Sequence, residues 1–200
     1  MLVSRSQNTN QAEVTVGKNH SQTLRNSDRI QIRFGSYGLD IIDNDEQIRV
    51  SKLYSTHDGL KINRTFAVVA YPDIIESAFK KEHEAIINGQ SIGVVFEHNG
   101  WEIEKHHQYL GEIELPTDNP GTHSLFGTGA DRPAIHIYSL VVNKNNSSFN
   151  YAQIAEVHHP EFLQLKDLQA IYGHEPDRHL ADTRNVQDFL EIVKTKIQSV

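Results

Sequence analysis

"AIHIYSLVV" (residues 134–142) followed by "NKNNSS" (143–148) and "FNYAQIAEV" (149–157) is the stretch whose reading decides the fold. The first segment is a short apolar run rich in β-branched and aromatic side chains, as expected of a strand buried on both faces. The polar turn behind it makes the third segment either its hairpin partner or a helix with Tyr151, Ile154, Ala155 and His158 inward. The strand is favoured, because a buried strand and a polar turn look like half of a hairpin. Glu156 and His158 then point to one face and His159 to the other.

The same period of two recurs upstream. "WEIEKHHQYLGEIEL" (101–115) puts Trp101, Ile103, His107, Tyr109, Ile113 and Leu115 on one parity, with a bend expected at Gly111. "KINRTFAVVAY" (61–71) ends in a nearly continuous apolar run, and "QIRVSKLYS" (47–55) and "LDII" (39–42) precede it as shorter strands. "RIQIRF" (29–34) alternates Ile30, Ile32 and Phe34 with polar residues and is expected to open a four-strand antiparallel meander. "SIGVVFEH" (91–98) reads as a strand turned by Asn99-Gly100 into residues 101–115, since Asn-Gly is a strong hairpin signal.

Helical spacing appears in three places. Residues 73–88 carry Ile74, Ile75, Ala78, Phe79, Ala85 and Ile86 ahead of Gly89. Pro160 is expected to start a helix with Phe162, Leu165, Leu168 and Ile171, stopped by Gly173. "VQDFLEIVKTKI" (186–197) is the last amphipathic segment, and 116–133 is expected to be a long Gly/Pro loop. Residues 1–28, rich in Ser, Asn, Gln and Thr, are expected to form a flexible polar tail, with 29–200 a single domain. The architecture expected is α+β: a largely antiparallel sheet of six to eight strands covered on one face by about three helices. The opposite face, beside the 116–133 loop, is the expected place for a ligand.

Composition narrows the function. A formal charge of −7 argues against nucleic-acid binding, which needs clustered Lys and Arg. No window of about 18 apolar residues is present, so no transmembrane segment is expected, and "MLVSRSQNTNQ" lacks the apolar core of a secretory signal. The absence of cysteine removes disulfides, thiolate nucleophiles and Cys-based zinc sites. The compartment stays open between cytoplasm and, if the polar tail is a processed tether, periplasm or envelope.

No motif identifies a reaction, and no stretch resembles a characterised family. "GQSIG" (89–93) matches the Gly-x-Ser-x-Gly of a nucleophile elbow, but that chemistry needs strand before serine and helix after it, and the order expected here is the reverse. "HEAII" (83–87) lacks the second histidine of a zincin, and "HEPDRH" (174–179) spaces its histidines five apart around a proline. "GTGADRP" (127–133) holds only a fragment of a phosphate-binding fingerprint.

Twelve histidines remain. Those expected inside are His107, His136 and His158, and Glu156 is placed to fix a neighbouring imidazole. His107, His136, Glu156 and His158 are therefore the candidate ligand or metal residues, against the simpler reading of separately bonded core histidines. The expected function is a non-catalytic binding or interaction domain for a small molecule or a protein, with no cofactor. The alternative is a His/carboxylate enzyme centred on His158, acting by acid–base chemistry or through a transition metal such as zinc.

Overall fold

The computed structural model describes residues 24–116, 118–127, 130, 132–173 and 186–200. Among the described residues six strands run in chain order: β1 Gly38–Asn44, β2 Ile48–His57, β3 Leu60–Ala70, β4 Glu102–Glu112, β5 Ala134–Lys144 and β6 Ser147–His158. They form one sheet in the order β1-β2-β3-β6-β5-β4, each neighbouring pair antiparallel. Among the described residues there are six α-helices: α1 Asn26–Phe34, α2 Lys80–Ile87, α3 Ile92–His98, α4 Pro120–Phe126, α5 Leu165–Tyr172 and α6 Val186–Gln198. The fold is a single α+β domain around an antiparallel sheet. None of these helices is long and apolar enough to cross a membrane.

The segment that framed the reading is β5, the turn, and β6, with β5 buried from Ala134 to Val142. Val, Ile and Tyr suit a pleated surface covered on both sides, and Asn145 and Asn146 take the positive φ that the tight connection requires. Two expected strands are helices instead. "RIQIRF" lies in α1: Ile30 is fully buried, Phe34 packs on the same cluster one turn later, and Ile32 is 73% exposed. That is helical spacing, and only the reading of Ile32 as inward made it a strand. Arg25 and Asp28 bond across the first turn, and Gly35 closes the last in the left-handed conformation at φ 74.

"SIGVVFEH" holds α3, with Val95 and Phe96 buried and Val94 half exposed. Asn99-Gly100 ends that helix: both backbone amides return to α3 carbonyls, and Gly100 has φ 75. The pair supplies a helix stop where a hairpin was expected. Two of the three expected helices are shorter than anticipated. A 3₁₀ turn, Ser77–Phe79, precedes α2, and residues 160–162 form a turn before α5. The 116–133 segment contains α4, which Asn119 caps by accepting a bond from the Thr122 amide. The polar tail falls mostly on residues 1–23 and "HEPDRH" on 174–179, outside the described residues.

Directly opposed residues of an antiparallel ladder project to the same side. On one side Val50, Phe66, Val68, Ile135, Ile137, Ala155 and Val157 meet Leu125 and Phe126 of α4 and Phe189, Leu190, Val193 and Ile197 of α6. Apart from Ala155, each such side chain contributes about 1.5–3 kcal/mol on leaving water. The other side carries two helix groups at its ends. The 3₁₀ turn, α2 and α3 cover Tyr151, Val142 and Leu140, and α1 and α5 cover Ala134 at the far end. Of the three helices expected, α2 and α5 therefore share a face and α6 lies on the other. Between the two groups the sheet is left uncovered enough to form a groove.

Candidate functional site

The groove encloses about 910 Å³, within the range of sites for drug-sized ligands. Its floor is the sheet: Ser51 of β2, Ala67 of β3, Glu156 of β6, Tyr138 of β5 and Lys105 of β4 all line it. Its walls come from the start of α1, the start of α3 and Tyr172 at the end of α5. It lies on the face away from the 116–133 segment, contrary to the expectation that this loop would flank the site.

All four candidate residues stand on this face. Ser51, Ala67, Glu156 and His136 are successive cross-strand partners, and His158 pairs with Thr65 one step along. On β4, Gln108 is an extra residue in the ladder, which shifts between His107 and Tyr109. That bulge reverses the alternation. His107 stays with Tyr138 on the groove face while Tyr109 packs into the opposite core, so the break falls at Gln108 and not at Gly111.

At the centre Lys105 Nζ stands 3.4 Å from Glu156 Oε2 and 4.3 Å from the Tyr138 ring centroid. The two charged side chains are only 19% and 8% exposed. Burial opposes the Lys105 charge, but Glu156, then Tyr138 and Tyr172, outweigh it and raise its pKa above the ordinary lysine value. Burial and Glu156 together push the Tyr138 phenol up as well. At neutral pH this centre is a shielded ion pair beside a protonated phenol.

The histidines lie beside and beneath it. His107 Nδ1 and His136 Nε2 share a 2.7 Å hydrogen bond, one donating and the other accepting. His136 is fully buried, and Tyr172 and Tyr138 flank its ring at 4.4 and 4.7 Å. Burial, then Lys105 and His107, hold its pKa well below the ordinary histidine value, so it is neutral. His158 is also fully buried, bonded through Nδ1 to Thr65 Oγ1 at 3.1 Å, with its ring against Phe162. Burial pushes its pKa down to about 4 against the opposing pull of Glu156. His159 accepts the Glu161 amide through Nδ1 and orders the turn at Pro160.

The structure thus separates the four candidates into two that line the groove, His107 and Glu156, and two below it, His136 and His158. Among the described residues no group of three or more His, Asp or Glu side chains is arranged to hold a metal ion. Two groove residues escaped the sequence reading. Lys105 shares the parity of Ile103 and His107, and a charge in an inward row was the signal for it. Arg49 opposes Val69 on the groove face and is 2% exposed. It would have been expected inside only if both faces of the sheet were known to be covered.

No protein-family model matches the chain, and no curated protein is significantly similar to it.

Proposed function

We propose that this protein is a binding domain whose ligand lies in the groove across the sheet. The groove itself carries the reading: its floor crosses five strands, most of its surface is apolar, and its lining also holds charged and hydrogen-bonding side chains able to orient a ligand. Rigid strands suit binding, because side chains set on a ladder keep their spacing without a ligand present. The alternative enzyme centred on His158 draws no support from position, since that ring is fully buried, bonded to Thr65 and outside the groove lining.

Ala67 is the test residue, because its small side chain lies mid-floor and points into the groove. Nile red, an uncharged apolar dye, is expected to bind the wild type with enhanced emission. Ala67→Phe fills the floor and should weaken that binding at least tenfold while the circular dichroism spectrum stays the same. Equal dye binding by the two proteins, or none by the wild type, would remove this reading.

A further inference from the structure

Taking the groove as a binding site, we propose that its ligand is a monocarboxylate with an apolar body, the carboxylate held by the Arg49 guanidinium with Asn26 and Ser91 beside it. Three observations converge on that end of the groove.

The first is a charge left over. Arg49 lines the groove and is 2% exposed, with Nη1 donating to the Gln90 carbonyl at 2.8 Å and the Ile86 carbonyl at 3.3 Å. Both bonds use Nη1, so the Nε–Nη2 edge, the fork that grips a carboxylate bidentately, carries neither. The other cations of the groove are matched. Arg25 reaches Asp28 at 3.0 Å and Glu97 at 2.9 Å, and Lys105 reaches Glu156 at 3.4 Å. No carboxylate among the described residues forms an ion pair with Arg49. The end of α2, where Ile86 lies, offers it about half a negative charge at most. A positive charge remains in a place where unpaired charge is costly. One such charge calls for a monoanion and leaves a phosphate dianion half unmatched.

The second observation is a vacant carboxamide. Asn26 lines the groove at 4% exposure, and neither its Oδ1 nor its Nδ2 has a hydrogen-bond partner. Buried amides are rarely left so, and the cost is about 1–3 kcal/mol. An acceptor at this end would satisfy the donor half. Ser91 and Tyr37 complete the surroundings: the Tyr37 phenol lies in the fields of Arg49 and Arg25 and is approached by Ser91.

The third is what lies beyond. From Arg49 the lining continues as Val69, Ile92, Ile154, Leu140, Ile103 and Trp101, a surface that fits a hydrocarbon chain or ring system.

Trp101 is the only tryptophan and lines the groove, so its fluorescence reports occupancy directly. Titration of the full chain with decanoate and with 1-decanol, its uncharged counterpart, should show decanoate binding at least tenfold more tightly. Asn26→Asp places a competing carboxylate beside Arg49, at the first position of α1, where a negative charge favours the helix. It should abolish the preference for decanoate over 1-decanol. Arg49→Lys, which keeps the charge and loses the fork, should cut the preference by about tenfold.

If both probes bind the wild type equally, or the preference survives Asn26→Asp, the carboxylate assignment fails and the groove reading stands. If decyl phosphate binds more tightly than decanoate, the monoanion assignment fails in the same way. If no probe perturbs Trp101, both readings fall together.

Discussion

The two faces of the sheet are built from the same strands and solve different problems. Under α4 and α6 the contacts are made by Phe66, Val68, Ile135, Ile137, Val157, Phe189 and Val193, side chains that need only to leave water. Across the same strands, the other face holds Lys105, Glu156, Arg49, His136 and His158 at low exposure. Each of these costs free energy to bury. One face stabilises the domain, and that surplus lets the other carry chemistry. The cross-strand rows show how closely the two are joined: Val157 and Glu156 are adjacent residues facing opposite ways.

The sharpest way to break this contrast is to damage the dry face. Phe189→Ala, at a fully buried position, is expected to lower the unfolding free energy by about 3–5 kcal/mol through lost burial and the cavity left behind. Urea denaturation would measure it, and a loss below about 1 kcal/mol would contradict the division of labour. Acidification should strike the groove face next. His158 is neutral when folded, with its pKa near 4, whereas the unfolded chain takes up that proton near pH 6.5. Its contribution is therefore complete above about pH 6.5 and lost as pH falls towards 4, roughly 3 kcal/mol in all, with His136 acting in the same direction. Urea midpoints at pH 7, 5.5 and 4.5 should fall steeply for the wild type and less steeply for His158→Gln. An unchanged slope would place the acid response elsewhere. The smallest effect is expected at the central pair. Lys105→Met leaves Glu156 buried without its partner and should cost about 2 kcal/mol, most of it recovered in Lys105→Met/Glu156→Leu. A double variant no more stable than the single one would mean that the ion pair is not what strains this face.

The strands were legible wherever β-branched runs were long, as in residues 61–70 and 134–144, because burial on both faces leaves a continuous apolar stretch. Short segments with few apolar residues were not. In α1 the placement of Ile30, Ile32 and Phe34 satisfies a period of two, and only the exposure of Ile32 distinguishes the helix. In α3 Asn99-Gly100 fits a hairpin turn and a helix stop equally well. The histidines and Glu156 could be assigned to a common face from alternation alone. Arg49 and Asn26 could not, since their burial depends on how α1, α2 and α3 meet over the sheet, a long-range arrangement that local spacing does not encode.

The strand order has a kinetic consequence. β1-β2-β3 and β4-β5-β6 are each built from pairings between strands consecutive in the chain, and they join only where β3 meets β6. There Ala67 opposes Glu156, residues 89 positions apart (156 − 67), so this seam closes the longest loop in the sheet. Contacts of that sequence separation slow folding, because chain entropy is lost before they form. The groove straddles the seam, with Arg49 and Ser51 on one half and Lys105, Tyr138 and Glu156 on the other. A guest seated across both halves would therefore act as a clasp, favouring the joined state and slowing its separation.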